Sequence, residues 1–577
     1  MKPLFLDTRI LDRAARERYG LTEEIMMENA ASALERAVVK ALFPDGADCG
    51  TGAAGTKPAC GKTVLILCGS GNNGADGYAL ARRLAGFVGA GAVPVVPVVV
   101  SAREPKSELC LVQAERAKKC GVRCVSAEAV LSAQGADEDA QAVVSARGAD
   151  VGAQAVVSAR GADVGAQAVV FAQGADVGAQ AVLSAQANVL DRAAVIVDCI
   201  FGSGFHGDLD EHTTRLCRRA NAAGAVRISC DVPTGVREDG TVAEGAFCAD
   251  CTVTMGALKL SLYSDAAIDV VGEVACENLG VSRTLFENAR GCADRYGEAA
   301  GAGADAMLLE ADDLVLPHRL RQLVNKGSFG HAAVASGEKI GASCIAGAAA
   351  LRFGAGLVSL VRLGQAFEKT ELPQVTPELM AAQDFPANTT AVALGMGLGR
   401  ADEIVQPYFD WLCAHREIPC VVDADACFCS GLKAFLEARA SGTILTPHPK
   451  EFQTVLKNCG LGEHSVADCV NNRPALMQEF CRAFPKSVLL VKGANPMIGI
   501  FDGKDFRLFI NPWGTNALAK AGSGDVLAGL ICALLAQGRD ALDAAVNGSL
   551  AHALASRQFK NEYSLTPLAL VDAVARL

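Results

Sequence analysis

Residues 516–538 read NALAKAGSGDVLAGLICALLAQG. A Gly-Ser-Gly turn (Gly522, Ser523, Gly524) runs into Asp525 and then an apolar stretch from Val526 to Ala536 that predicts a helix. Gly538 stands where a C-terminal stop is expected. The first amides of a helix have no intrahelical partner, and glycine lets the backbone approach a ligand closely. Those amides and the helix dipole make a site for a phosphate or a developing anion. Asp525 is then placed to take the proton of a hydroxyl held beside that phosphate. Alone, GSGD reads more simply as a helix entry with Asp525 as a first-turn cap. The functional reading gains from the motifs around it.

Upstream, the same half of the chain alternates apolar runs with polar or Gly-rich loops. NKGSFGH precedes a strand starting at Ala332, followed by GASCIAGAAALRFGAGLVSLV. Strand-end motifs follow: ALGMGLG (393–399), VVDADA (421–426), TPHPKEF (446–452) and LLVKGANP (489–496). Such alternation predicts an α/β domain with a parallel sheet.

The first half repeats the pattern. Residues 11–40 predict two helices around Gly20. A short apolar run, 63–68, leads into GSGNNGADG (69–77) and a helix-like YALARRLAG. Asn72, Asn73 and Asp76 put amide and carboxylate oxygens at that loop tip. In AVIVDCIFGSGFHGD, Asp198 ends a strand before Gly202, Ser203 and Gly204. In AVRISCDVPTGV, Asp231 ends the next strand before Pro233, Thr234 and Gly235, and a further strand carries Lys259. Each Asp by itself is a turn or cap residue. Three in register at strand ends make a site at the carboxyl edge of a doubly wound sheet. The Asn73 amide, the Asp198 carboxylate and the Thr234 hydroxyl suit a hard cation better than zinc.

At 577 residues, two or more domains are expected. Hydrophobic residues make up 51% but aromatics only 5%, so the cores must be built from Ala, Val and Leu. A net charge of −11, with no basic block, argues against nucleic-acid binding. No stretch is long enough to span a membrane. The 22 cysteines include no CxxC pair with matching His or Cys partners, and the charged, helix-like start MKPLFLDTRILDRAARERYG does not read as a secretory leader. A reduced, cytoplasmic chain is expected. Residues 128–187 repeat AQAVVSARGADVG with a period of 13, the same position recurring at Glu128, Gln141, Gln154, Gln167 and Gln180. The unit is too short and small-residue-rich to stack as a solenoid, so it reads as an expanded surface-loop insertion without catalytic role. GCADRYGEAAGAGADA, from Gly291, reads as a linker.

The first half, from about Leu11 to about Gly280, resembles the NAD(P)H-hydrate epimerases through MENA, GSGNNGADG, VDCIFGSG and DVPTG. The resemblance implies substrate contacts from Asn72, Asn73, Gly74, Ala75 and Asp76, from Gly202, Ser203, Gly204, Phe205, His206, Gly207 and Asp208, and from Asp231. It implies potassium ligation by Asn73, Asp198 and Thr234. Ala75 departs from the family's glycine, and Thr234 from its serine. The second half, from about Leu308, resembles the ribokinase-like superfamily and, within it, the nucleotide-dependent NAD(P)H-hydrate dehydratases. Here the implied nucleotide contacts are Lys492, Gly493, Ala494, Asn495, Pro496 and Gly524. Ala342, Gly397, His448 and Asp525 are implied to meet the hydrate. Lys450 and Pro496 depart from the family's HPGE and KGAN contexts.

The expectation is a Rossmann-like epimerase domain (1–288) holding the repeat insertion, a linker (289–307) and a ribokinase-like dehydratase domain (308–577). Asp525 and Asp231 are the expected acid/base residues, with Lys259 next in line for the epimerase. K+ is expected in the first domain, with ADP or ATP, accompanied by Mg2+, as phosphoryl donor in the second. The expected partners are NAD(P)H hydrates, an adenine nucleotide and further copies of the chain in a homo-oligomer. One rival reading is a ribokinase-like small-alcohol kinase, and another is a first domain that only binds.

Overall fold

The structure, a computed structural model, describes residues 1–44, 61–89, 93–132, 189–288, 304–368, 371, 375–439 and 442–577. Most of the 13-residue repeat and of the linker therefore lies outside the described residues. Two compact units result. One comprises Leu6–Leu262 and Ala267–Ala300; the other comprises Met1–Phe5, Tyr263–Ala266 and Gly301–Leu577.

The chain opens on β1 (Lys2–Phe5), a strand of the second unit. The first unit then begins with helices α1 (Arg9–Tyr19) and α2 (Glu23–Leu42). Gly20 closes α1 at φ 67°, the left-handed conformation that makes the break between them. The first unit's strands are β2 (Lys62–Cys68), β3 (Val88–Gly89), β4 (Val93–Ser101), β5 (Arg123–Ser126), β6 (Ala193–Cys199), β7 (Val226–Cys230), β8 (Cys251–Met255), β9 (Leu258–Lys259) and β10 (Glu273–Glu277). The chain lays down β2, moves outward through β4 to β5, then returns to the other side of β2 for β6, β7, β8 and β10. All of these pair in parallel; β3 alone runs antiparallel, against β4. Central strands such as β2 (KTVLILC) are continuous apolar runs because helices cover both faces. The order reverses between β2 and β6, and ligands bind at such a switch point.

The second unit reaches the same winding with different strands: β11 (Ala306–Leu308), β12 (His331–Ala335), β13 (Leu357–Val361), β14 (Met380–Ala382), β15 (Ala391–Leu394), β16 (Cys420–Val422), β17 (Thr443–Leu445) and β18 (Ser487–Val491). From β12 the chain goes outward to β13 and β14, then back past β12 to β15, β16, β17 and β18, all in parallel. The antiparallel strands β19 (Met497–Phe501) and β20 (Phe506–Ile510) follow, and β11 and β1 extend the sheet beyond them. Its switch point lies between β12 and β15. The core centres on the helix Ser523–Ala536, which is apolar on every side and buried throughout from Val526. A helix that is hydrophobic all round is a core helix, not a surface one.

Candidate functional sites at two switch points

In the first unit, the loops after β2 and β6 touch. A Cβ on Gly69 would lie 1.9 Å from the Ile200 carbonyl oxygen, so only glycine allows this approach. Above them is a cavity of about 600 Å3. Asn72, Asn73, Asp76, Gly202, Ser203, Gly204, Phe205, Asp231 and Lys259 line it. Gly74 and Ala75 are buried beneath, while His206, Gly207 and Asp208 lead away from it and are exposed. Asp208 instead takes a 2.7 Å hydrogen bond from Arg237. The predicted Gly-rich loop is shorter than expected, because helix α3 (Asn72–Leu84) begins at its second half. Ala75 is therefore helical, which explains why alanine is accommodated there.

Asn73, Asp198 and Thr234 are brought together through one residue. Asn73 Nδ2 donates to the Phe201 carbonyl (2.9 Å), and the Phe201 amide donates to Thr234 Oγ1 (3.0 Å). Thr234 in turn donates both its hydroxyl and its amide to Asp198, each at 2.7 Å. Asp198 is completely buried. Burial raises its carboxyl to about 6, against the hydrogen bonds of Thr234, Ile200 and Ser229, which pull the other way. Among the described residues it meets only neutral donors.

Asp231 has φ 69°, a left-handed conformation that non-glycine residues adopt at a cost of about 1–3 kcal/mol. That backbone aims its carboxylate at Lys259 Nζ (2.6 Å) and the amides of Met255 (3.3 Å) and Ser203 (3.4 Å). Lys259 is buried to 2% exposure and also donates to Thr254 Oγ1 at 2.9 Å. Asp76 sits in the second turn of α3, and burial, with Asp231 adding to it, pushes its carboxyl well above the usual range. Neighbouring carboxyls in unlike environments are the usual equipment of proton transfer.

In the second unit, the loops after β12 and β15 meet in the same way. Gly397 (φ 61°) accepts at its carbonyl from the Lys339 amide (2.8 Å). A Cβ on Gly397 would lie 3.0 Å from Ala342 Cβ, so these two predicted substrate residues are neighbours at the switch point. Gly522 (φ 91°) starts the helix that carries Asp525 in its first turn. Burial, then Asp423, raise the Asp525 carboxyl to about 6 while Lys492 opposes them. The backbone of this turn is held from behind by His552 Nε2, 2.9 Å from the Ser523 carbonyl oxygen, and burial lowers the His552 pKa to about 4. His552 is thus a neutral brace near pH 7.

Lys492 points to this site. Its ammonium meets Asp423 at 2.7 Å and Glu451 at 3.6 Å. Burial depresses its pKa, but the two carboxylates outweigh that and raise it. A Cβ on Gly524 would be 3.5 Å from Lys492 Nζ. His448 caps the helix Pro449–Asn458, its Nδ1 accepting from the amides of Lys450 (3.2 Å) and Glu451 (3.3 Å). Gly493 and Ala494 are exposed and Pro496 partly so, whereas Asn495 is committed elsewhere. Its amide donates to Asp265 (3.0 Å) and its side chain to the Tyr263 carbonyl (3.0 Å). Buried Arg473 pairs with the same Asp265 and donates to the Asn495 carbonyl (3.1 Å).

Three features escaped the sequence reading. Asp423 and Glu451 were visible within VVDADA and HPKE, but not as partners of Lys492. The Asp265 clamp carries no local signal. The third is α1, whose Arg9, Asp12, Arg13 and Arg16 line the first cavity. Their spacing puts them on one helix face, and that periodicity was the available clue.

Two doubly wound α/β halves, each with carboxyls gathered at its switch point, define a two-site enzyme. Residues 23–261 match the YjeF-related protein N-terminus family, and residues 333–576 the NAD(P)H-hydrate dehydratase family. The bifunctional NAD(P)H-hydrate repair enzyme Nnr of Helicobacter pylori is 37% identical over 579 residues, spanning 100% of both chains. Its namesake from Thermofilum pendens is 27% identical over 98% of this chain and 94% of its own. Among solved structures, the ADP/ATP-dependent NAD(P)H-hydrate dehydratase of Bacillus subtilis, co-crystallized with ATP/Mg2+, covers 47% of this chain and 97% of its own at 23% identity, with a TM-score of 0.39. The chain belongs to the family of bifunctional NAD(P)H-hydrate repair enzymes. That membership does not favour the small-alcohol kinase reading.

Among the described residues, no helix is long and apolar enough to cross a membrane, and every described cysteine is free.

Proposed function

We propose that the first unit interconverts the R and S hydrates of NADH and NADPH at C6, and that the second returns the S hydrate to NAD(P)H while consuming an adenine nucleotide. The observation that carries this reading is the difference between the two sites on one chain. One is a cavity lined by carboxyls and an amine; the other is a helix start beside a single raised carboxyl.

Hydration of a nicotinamide double bond leaves a hydroxyl at C6, and hydroxide is a poor leaving group near neutral pH. Phosphorylation converts it to a good one, and elimination with loss of a C5 proton restores the dihydropyridine. In the second unit, Asp525 takes the hydroxyl proton as phosphate transfers, and the amides of Gly524 and Asp525 cradle the phosphoryl oxygens. Lys492, held by Asp423 and Glu451, places a positive charge next to them. Lys492, Gly493, Ala494 and Pro496 form the nucleotide edge, with Asn495 as the buried anchor of that loop. Ala342, Gly397 and His448 border the hydrate. ADP is the favoured donor. Among the described residues no group of three or more His, Cys, Asp or Glu side chains could hold a metal. Mg2+ accordingly fits as an ion carried mainly by the nucleotide phosphates and water.

In the first unit, Asn72, Asn73, Asp76, Gly202 to Phe205 and Asp231 bind the hydrate, and Asp231 acts as an acid/base at C6. Asn73, Asp198 and Thr234 fit potassium: one buried carboxylate with neutral oxygens supplies one negative charge for a monovalent ion. These three residues would hold the ion, and it would supply a positive charge beside the buried Asp198 carboxylate.

A mixture of both NADH hydrate epimers tests the reading, with ADP or ATP added and the reduced-nicotinamide absorbance followed. Recovery of NADH from both epimers, with orthophosphate released, is expected. Accumulation of a phosphorylated product without NADH contradicts it.

A further inference from the structure

Helix α1 lies outside the matched residues 23–261, yet it forms one wall of the first cavity. Leu11 and Ala15 anchor it in the core, while Arg9, Asp12, Arg13 and Arg16 turn to the cavity. Two of these have partners: Arg9 pairs with Asp7 and Glu238, and Arg16 with Glu23. The Asp12 carboxyl is half-buried and takes part in no hydrogen bond or ion pair among the described residues. It lies within electrostatic range of both Asp231 and Lys259.

We infer that Asp12 is a second acid/base of the first site, working with Asp231 to move the C6 hydroxyl from one face of the ring to the other. The inference rests on the reading of this unit as the epimerase. C6 of the hydrate carries both the hydroxyl and the ring nitrogen. In one direction, Asp12 gives its proton to the hydroxyl, the C6–O bond breaks, water leaves, and the nitrogen lone pair forms N1=C6. A second water adds to the opposite face, the N1=C6 π pair returns to nitrogen, and Asp231 takes the proton of that water. One C–O bond breaks and one forms, with no oxidant or reductant. The reverse direction exchanges the roles of the two carboxyls. A single acid/base on one face would return the hydroxyl to the face it left.

The surroundings of the two groups suit this division. Asp231 holds the Lys259 ammonium at 2.6 Å, whereas Asp12 has no such partner among the described residues. Burial raises the Asp12 carboxyl to about 6, with Lys259 opposing and Asp231 adding to the shift. A carboxyl in that range both gives and takes protons near neutral pH. The charged groups around it are Arg9, Arg13 and Arg16 of its own helix, Asp7 before it, Glu23 of α2, Asp76 of α3, Asp231 after β7 and Lys259 of β9.

The test uses the full chain, separated R and S hydrates of NADH, no nucleotide, and 18O-labelled water across a range of pH. With the uncatalysed rate subtracted, wild-type interconversion is expected to decline above about pH 6 as Asp12 ionises, and product hydroxyl to carry solvent oxygen. Asp12→Asn should slow interconversion by about 10²–10⁴ and remove that decline, while still binding hydrate. Asp12→Glu should recover part of the rate. ADP-dependent recovery of NADH from pure S hydrate should be unchanged in Asp12→Asn. Wild-type rate and pH profile in Asp12→Asn, loss of hydrate binding with the loss of rate, or retention of the original oxygen would each overturn the inference. Absence of interconversion in the wild-type chain would instead overturn the epimerase reading itself.

Discussion

The two units solve one topological problem twice and use it differently. Each winds outward from a first strand and returns past it, so two neighbouring loops diverge at the switch point. In the first unit helix α1 forms one wall of the space, and the carboxyls of Asp12, Asp76 and Asp231 line it. In the second the reacting group stands alone at a helix start, and its neighbours Asp423 and Glu451 are occupied by Lys492. The winding therefore sets where chemistry happens, and the loops set which chemistry. A cavity with paired acids serves reversible bond exchange at one carbon. A helix start with one base serves phosphoryl transfer.

The comparison breaks most directly at Asp525. Asp525→Asn should lower dehydration by about 10²–10⁴ and leave epimerisation untouched. The wild-type dehydration rate should climb through about pH 6 as Asp525 loses its proton. Stability has the opposite sign. A carboxyl whose pKa rises on folding contributes stability below its unfolded pKa, near 4, and loses it as pH rises through about 6. Asp525→Asn should therefore unfold at a higher temperature than wild type at pH 8, with the gain disappearing below pH 4. Differential scanning calorimetry at the two pH values checks this.

Next comes the clamp on the nucleotide loop. Asp265→Ala leaves Arg473, 1% exposed, without its carboxylate. Breaking a buried pair by removing one partner costs about 3–5 kcal/mol. Urea unfolding of the second unit should show that loss, together with weaker nucleotide binding. A change within about 0.5 kcal/mol, the range of ordinary surface substitutions, would mean that the clamp does not hold the loop.

A smaller effect is expected in the first unit. Asp198→Asn removes the one charge offered to potassium. Apparent potassium affinity, read from epimerisation in potassium against tetramethylammonium chloride, should fall by at least the roughly 10–100-fold that outer-shell partners are worth. Equal rates of the wild type in both salts would remove the ion from the account.

The smallest effect is expected from deleting residues 141–180. Their composition offers few large apolar side chains for a core, so both activities should survive. Loss of soluble expression would show otherwise.

Much of both sites was legible because the signals are local. Asp198, Asp231 and the GSGD turn each sit at the end of an apolar run, and the winding brings those ends together. What was not legible depends on partners far apart in the chain. Lys259 reaches Asp231 across 28 residues, and Lys492 reaches Asp423 across 69. Neither spacing has a period that a sequence can display; strand order alone makes them neighbours. The left-handed backbone of Asp231 is equally silent, since aspartate occurs in ordinary turns as well. Helix α1 did display its charged face, but nothing local says that a cavity lies opposite.

The most direct test of two separate sites on one chain is chiral chromatography of an R and S hydrate mixture incubated with ADP and each of two variants. With Asp525→Asn, the epimers should equilibrate and no NADH appear. With Asp231→Asn, the S hydrate should disappear as NADH forms while the R hydrate stays behind. Loss of both activities in either single variant, with the protein folded, would contradict the account.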